Sequence, residues 1–178
     1  MGRNIEGSYQ DRTRKPSVPA TGAGISDATT KVWSRSVDGN LITTTLILDM
    51  DGLHGSATTA QIIGNDGATT GSYLCQISSA FGTIFSVSVT CAEAPVGSTT
   101  SLRLDTSSVG TGKTDDLVTD LTDHATVLAA TSMTINAIAY ATTLPAQDSY
   151  LYLSNGDGTG ADADYSAGKL IITIKGTR

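Results

Sequence analysis

The sequence predicts an all-β protein, a β-sandwich with one short helix and an extended N-terminal arm. Three observations carry that prediction. Residues 83–91, TIFSVSVTC, alternate strictly, with Phe85, Val87, Val89 and Cys91 on one side and Ser86, Ser88 and Thr90 on the other, the mark of a strand with one buried and one wet face. About eight such segments recur, separated by Gly-, Asn- and Asp-containing turns, at the spacing of a sandwich or barrel. The chain of 178 residues is only 39% apolar and 16% charged, so it has one thin core padded with Thr, Ser, Ala and Gly. Eight strands in two sheets suit a jelly roll.

Residues 83–91 are expected to pair with residues 73–77, where Tyr73, Cys75 and Ile77 share a face, through the short loop Ser79-Ala80-Phe81-Gly82. This hairpin is taken as the centre of the fold. A second hairpin joins residues 32–37 to 41–49 across Asp38-Gly39-Asn40, whose residues accept positive φ. Residues 51–71 form a Gly- and Ala-rich excursion, with a short helix or strand at 60–63 and a turn at 64–67. Residues 99–105 place Leu102 and Leu104 on one face. Residues 115–129 are the predicted helix: Leu117, Val118, Leu121, Ala125 and Leu128 fall near one stripe, and Thr114 or Asp115 caps the start. The last strands are expected at 132–140, 149–154 and 169–175, with Leu170, Ile172 and Ile174 inward in the last.

Residues 1–30 read as the arm and 31–178 as the sandwich domain. Gly2, Gly7, Pro16, Pro19, Gly22 and Gly24 interrupt any regular element in the arm. The net charge of −6 is unevenly spread. Residues 1–35 hold six cations against three carboxylates, residues 169–178 hold three cations, and residues 36–168 hold two cations against fourteen carboxylates. A basic arm beside an acidic body can steer contacts between like subunits. Arg3, Arg12, Arg14 and Lys15 are the assembly residues this suggests, and the arm is expected to order on contact. Its deletion should leave the rest folded. A solvated terminus is the simpler alternative. The acidic body opposes nucleic-acid binding by Arg12–Lys15. No run is apolar enough to span a membrane, and the N-terminus has neither a secretory signal nor a myristoylation motif.

No stretch carries a catalytic signature, and no enzyme activity or cofactor is expected. Cys75 and Cys91 read as buried reduced thiols, with a disulfide as the alternative, and two Cys and two His without finger spacing give no zinc motif. The run Gly110-Thr111-Gly112-Lys113-Thr114 imitates a phosphate-binding loop, but Ser107 stands where that motif requires Gly, and no alternating strand–helix series surrounds it. The loop at 154–164 carries Asn155, Asp157, Asp162 and Asp164, alternating oxygen ligands that could wrap Ca²⁺. Ser166 stands in place of the closing Glu of an EF-hand, which leaves an irregular Ca²⁺ loop or a solvated acidic hairpin. Asp49, Asp51 and His54 could serve acid–base chemistry or a metal, but Asp51-Gly52 reads equally as a turn. His124 is expected on the exposed side of the helix, and Trp33 anchors the arm or joins the core.

Two segments carry a resemblance: residues 33–53, WSRSVDGNLITTTLILDMDGL, and residues 165–176, YSAGKLIITIKG. With the general texture of residues 20–178, they are similar to small structural proteins of tailed bacteriophages, especially phages of aquatic bacteria, interpreted as capsid decoration or cement proteins. The resemblance implies a β-sandwich subunit, often a homotrimer, on the outer capsid surface of the virion. There it would bridge subunits of the major capsid protein against internal DNA pressure. A tail or head-fibre component, which would show repeats or heptads, and a monomeric module binding carbohydrate or a receptor are the competing expectations.

Overall fold

The computed structural model describes residues 19–178. Its centre is a long C-terminal strand. The strands are β1 (Thr30–Asp38), β2 (Leu41–Asp49), β3 (His54–Gly55), β4 (Tyr73–Gln76), β5 (Thr83–Val96), β6 (Ser101–Ser107), β7 (Ala125–Ser132), β8 (Ile138–Tyr140), β9 (Tyr150–Asn155), β10 (Ala163–Asp164) and β11 (Ala167–Thr177). They form a five-stranded sheet, β1-β2-β11-β5-β8, a four-stranded sheet, β4-β9-β6-β7, and the small pair β10-β3. Every pairing is antiparallel. The two large sheets make a sandwich-like all-β body.

β11 pairs with β2 on one side and β5 on the other. Its alternation decides which residues enter the core. Leu170, Ile172 and Ile174 point inward and are buried. They share a cluster with Leu46 and Leu48 of β2, Val87, Val89 and Cys91 of β5, and Leu102, Leu104, Leu151 and Leu153 of the opposite sheet. The β1–β2 hairpin forms as expected, with Asp38 paired to Leu41. Gly39 takes φ +57° at its tip, a conformation that carries little cost without a Cβ.

The central hairpin of the sequence reading does not form. β4 pairs with β9 and β5 pairs with β11 and β8, so the two segments lie in opposite sheets. Their connection is a 3₁₀ turn, Ser79–Phe81, with Phe81 fully buried and Gly82 at φ +67°. The physical reason is Phe81: a hairpin tip would leave it in water, whereas a corner between sheets buries it. Alternation alone cannot separate these cases, since both give each strand one buried face. Phe85 departs from its expected side as well. Lys175 pairs with Ser86 but Gly176 with Ile84, so Phe85 is the extra residue of a β-bulge. It is 50% exposed, and Ile84 packs on the core instead.

The expected helix at 115–129 is absent, and no α-helix occurs among the described residues. A 3₁₀ turn at Val118–Asp120 leads into β7. Asp115 and Asp123 adopt φ +67° and +52°, which a helix cannot contain, and Thr126, Val127 and Thr131 favour a strand. The stripe at helical spacing is split: Val118 and Leu121 belong to a small second cluster, while Leu128 joins the main core. The strand expected at 132–140 survives only as Ile138–Tyr140.

The arm expected at 1–30 divides. Arg3, Arg12, Arg14 and Lys15 lie outside the described residues. The later part belongs to the body: Ile25 is buried, Gly22 N–H donates to Tyr73 O at 2.8 Å, and Gly24 N–H to Gly71 O at 3.0 Å. Removing residues 1–30 would therefore unroof part of the core. Cys75 and Cys91 are buried free thiols, and burial pushes Cys75 up to about 12. Trp33 packs against the main core, as one of its two expected roles required.

Two measurements check this architecture. Ile172→Ala removes buried methyl groups at the centre of β11 and should cost about 3 kcal/mol in urea unfolding. Burial also pushes the phenols of Tyr152 and Tyr165 up to about 12, against 10.0 ordinarily. Between these values the folded chain holds more protons than the unfolded one. Stability should therefore be fully present below about pH 10 and fall as pH rises towards about 12, read as a falling urea midpoint.

Candidate functional site

Three features concentrate chemistry: a buried carboxylate network, a His–Asp cluster in the loops, and one open sheet face.

The first was not legible as a site. Asp105 of β6 is fully buried. Its Oδ1 accepts from Arg103 Nη2 at 2.7 Å and Thr126 Oγ1 at 3.0 Å, and lies 3.0 Å from His124 Nε2. Its Oδ2 accepts a short bond from Ser154 Oγ. His124 is thus mostly buried beside a carboxylate, a correction to the exposed helical position expected for it. Sequence could not find this network because its members come from β6, β7, β9 and the loop before β7. Ser154 bonds to the carboxylate rather than to the imidazole, so no Ser–His nucleophile exists here. The arrangement is structural, a buried carboxyl group held by donors from Arg103, Thr126 and Ser154 with the His124 ring beside it.

The same network helps to close the outer side of the four-stranded sheet. Tyr152 and Ser154 face away from the main core, yet both are fully buried. Residues 108–121 lie over Tyr152: Tyr152 Oη donates to Val109 O at 2.7 Å, and Gly112 N–H donates back to Tyr152 Oη at 3.3 Å. Ala60, Ile62 and Val118 pack on Tyr152, and Tyr73 meets Tyr150 edge-on at 4.9 Å between centroids. Gly112, part of the apparent phosphate loop, sits against Ile62, Leu121 and Tyr152. Lys113 N–H donates to Asp116 Oδ2 at 2.8 Å. The run is part of a packed cover, and no α-helix follows it.

The second feature joins two candidates that the sequence placed far apart. His54 of β3 pairs with Asp164 of β10. His54 Nδ1 lies 2.8 Å from Asp164 Oδ1, and His54 Nε2 lies 2.8 Å from Asp162 Oδ1. Asp115, from the covering loop, completes the group: one ligand atom each from His54, Asp115 and Asp162 lie within 4.8 Å of one another. Burial works to lower the His54 pKa, but its bonds to Asp164 and Asp162 outweigh burial and raise it above 6.5. Burial also raises the Asp115 carboxyl above its usual range.

The predicted Ca²⁺ loop is accordingly divided. Asp162 and Asp164 reach His54. Asp157 turns to its own loop, accepting from Thr159 Oγ1 at 2.7 Å and Thr99 Oγ1 at 3.2 Å, and these bonds hold its carboxyl below the usual range. Asn155 is fully buried and donates its amide to Ser56 O and Thr58 O. Of the other acid–base candidates, Asp49 pairs with Lys169 Nζ at 3.1 Å and Asp51 accepts from Thr29 Oγ1. Neither is bonded to His54.

The third feature is the outer face of the five-stranded sheet. Two rows cross all five strands without a charge: Val32–Ile47–Ile171–Thr90–Ile138 and Ser34–Thr45–Thr173–Ser88–Tyr140. Val32 is 50% exposed, Ile138 56% and Tyr140 66%, and Ile171, Thr173, Ser88 and Thr90 are half-buried only by their neighbours. Charges lie to either side of these rows, at Asp49, Lys169 and Glu93 on one and Lys175 on the other. A groove of about 500 Å³ between residues 77–79, residues 82–84, Pro145, Gln147 and Thr177–Arg178 carries no aromatic ring and no side-chain carboxylate on its lining.

In comparisons with known proteins, no family model, no curated protein and no solved structure matches this chain.

The buried network yields a test. Asp105→Ala leaves Arg103 and Ser154 without their acceptor and should destabilise the chain by about 3–5 kcal/mol in urea unfolding. Loss below 1 kcal/mol would show that water replaces the carboxylate.

Proposed function

We propose that this chain is a structural virion protein, a capsid decoration subunit that packs the open face of its five-stranded sheet on the outer capsid surface. The observation that carries the reading is the contrast between the two sheets. The two inner strands of the four-stranded sheet, β6 and β9, are buried on both faces, whereas the five-stranded sheet carries ten uncharged outward positions across its full width. Lone exposed apolar residues need no explanation, but a contiguous uncharged face on an acidic protein of net charge −6 does. Thr, Ser, Ile and Val on a pleated surface present a dry, low-entropy contact for a flat partner. The partner is the major capsid protein, with copies of this chain arranged as a homotrimer beside it.

The strand order supports the finer fold assignment on which this reading draws. Setting aside β1 at the edge, the sheets run β2-β11-β5-β8 and β4-β9-β6-β7. The chain changes sheet at nearly every step, and only β6 and β7 are consecutive in one sheet. We assign this order to a jelly roll, an architecture recurrent in viral capsid and lectin domains. That link is an analogy of fold, and the argument for function rests on the face. Arg3, Arg12, Arg14 and Lys15 supply a cationic segment that an acidic neighbouring subunit would attract.

Tyr140 gives a second reading its one favourable observation. A ring 66% exposed on a sheet face is the kind of platform on which a sugar stacks, which would make the chain a carbohydrate-binding module.

The test uses two variants and a truncation. Thr173→Lys and Ile47→Lys put a charge in the middle of the open face and point away from the core, so folding should persist. Both should reduce co-sedimentation with capsids at least tenfold. Deleting residues 1–18, which spares Gly22, Gly24 and Ile25, should weaken assembly measured by light scattering while leaving the urea midpoint in place. Undiminished capsid binding by both lysine variants would sink the reading. Glycan binding that disappears in Tyr140→Ala, without capsid binding, would establish the alternative.

A further inference from the structure

We infer that His54, Asp115 and Asp162 form a site for one divalent transition-metal ion, of which Zn²⁺ is the best-matched probe, with Asp164 as the carboxylate that orients the imidazole. Three separate segments converge: β3 supplies His54, the cover over the four-stranded sheet supplies Asp115, and the loop before β10 supplies Asp162.

The imidazole distinguishes this group from an ordinary patch of surface acids. Only 13% of the His54 side chain is exposed, and each ring nitrogen faces a different carboxylate oxygen at 2.8 Å. A neutral imidazole has one N–H and one lone pair. If Nδ1–H donates to Asp164, the Nε2 lone pair points straight at Asp162 Oδ1. Two lone pairs at that distance repel, unless a proton or a metal ion stands between them. The Asp164–His54 contact is also the arrangement by which a carboxylate fixes the tautomer and raises the basicity of a metal-bound histidine.

Donor chemistry selects the metal. One imidazole nitrogen with two carboxylates suits Zn²⁺ and its first-row neighbours, whereas Ca²⁺ and Mg²⁺ prefer oxygen alone. Two ligands on a tetrahedral Zn²⁺ stand about 3.4 Å apart, given bond lengths near 2.1 Å. The Nε2–Oδ1 pair at 2.8 Å therefore has to open by about half an ångström. Asp162 can provide this, since its side chain is 74% exposed and lies on a loop. Water takes the remaining position. Asp164 adds a third carboxylate to the neighbourhood, so a dication relieves repulsion among like charges. Bound metal would tie the covering loop to β3 and the loop before β10, adding a link to the existing β3–β10 pairing.

The experiment is calorimetric titration of the full-length chain with Zn²⁺, alongside thermal melting and the visible spectrum of the Co²⁺ form. The expected result is one ion per chain at micromolar Kd or tighter, a higher Tm on saturation, and a tetrahedral Co²⁺ spectrum. His54→Gln and Asp162→Asn should each weaken binding at least 100-fold, and Asp164→Asn about 10–100-fold, as loss of an orienting partner does. Asp162→Asn changes an exposed side chain, so it tests the site even if His54→Gln fails to fold. Absence of stoichiometric Zn²⁺ binding would overturn the assignment. So would affinity unchanged in Asp162→Asn, which places the ion elsewhere, or Ca²⁺ binding tighter than Zn²⁺, which removes the imidazole from the ligand set.

Discussion

The structure depends on one constraint, that β11 must be hydrogen-bonded on both edges while its inward side chains close the core. Its pairings with β2 and β5 bring together segments more than 70 residues distant in the chain. Once those ladders form, alternation leaves no freedom. Leu170, Ile172 and Ile174 must enter the core, and Ile171 and Thr173 must face outward. A slip of one residue would send three buried aliphatic side chains into solvent, at about 2 kcal/mol each. The two bulged places on the β5 side, around Lys169 and Lys175, adjust twist at the ends without disturbing this central register.

The same constraint produces the asymmetry between the sheets. The outward residues at the middle of β11 are Ile171 and Thr173, framed by uncharged residues from β2 and β5, so no charge at the centre of that face demands a cover. The opposite sheet places Asp105 and Tyr152 on its outer side. A carboxylate and a phenol can be buried only with partners, and these come from residues 108–126. The cover follows from the polar groups beneath it, since Val109 O, Thr126 and His124 are the acceptor and donors those groups require. One sheet thus consumes the long loops, and the other is left open.

The sequence revealed alternation well and partnership poorly. The β1–β2 turn at Gly39 was legible because its signal is local: residues that accept positive φ, which Gly39 takes, and matched alternation on each side. The inward residues of β11, and Val87, Val89 and Cys91 of β5, were legible from period alone. The β4–β5 corner was not, because a hairpin and a corner between sheets share that period, and only the burial of Phe81 separates them. The helix at 115–129 was misread for a related reason. Leu117, Val118, Leu121, Ala125 and Leu128 match a helical stripe by number, but Val118 and Leu121 serve one cluster and Leu128 another, on either side of Asp123. Backbone conformation at Asp115 and Asp123 overrides a pattern spread so thinly. The signal against a helix was present in Thr122, Thr126 and Thr131, residues that give little to a helix and much to a strand.

The His54 cluster shows what such a reading can recover of a site. Its residue types were each noticed, His54 beside Asp51 and Asp162 with Asp164 in an acidic loop, but as two unrelated groups. The pairing of two-residue strands, His54–Gly55 with Ala163–Asp164, joins them across more than 100 positions, and no local pattern encodes so short a ladder. Asp115 was one of two candidates, with Thr114, for a helix cap. In the fold it instead holds a left-handed conformation and brings its carboxylate to the imidazole. The thin core bears on this arrangement too. With few large apolar residues to fix its long loops, the chain holds them by polar contacts, through Asp105 on the outer side of the four-stranded sheet and through His54 where the loops meet β3 and β10. The loops are therefore anchored by charged and hydrogen-bonding groups on the side of the body that is covered, which leaves the uncharged sheet face free of any structural duty to the chain itself.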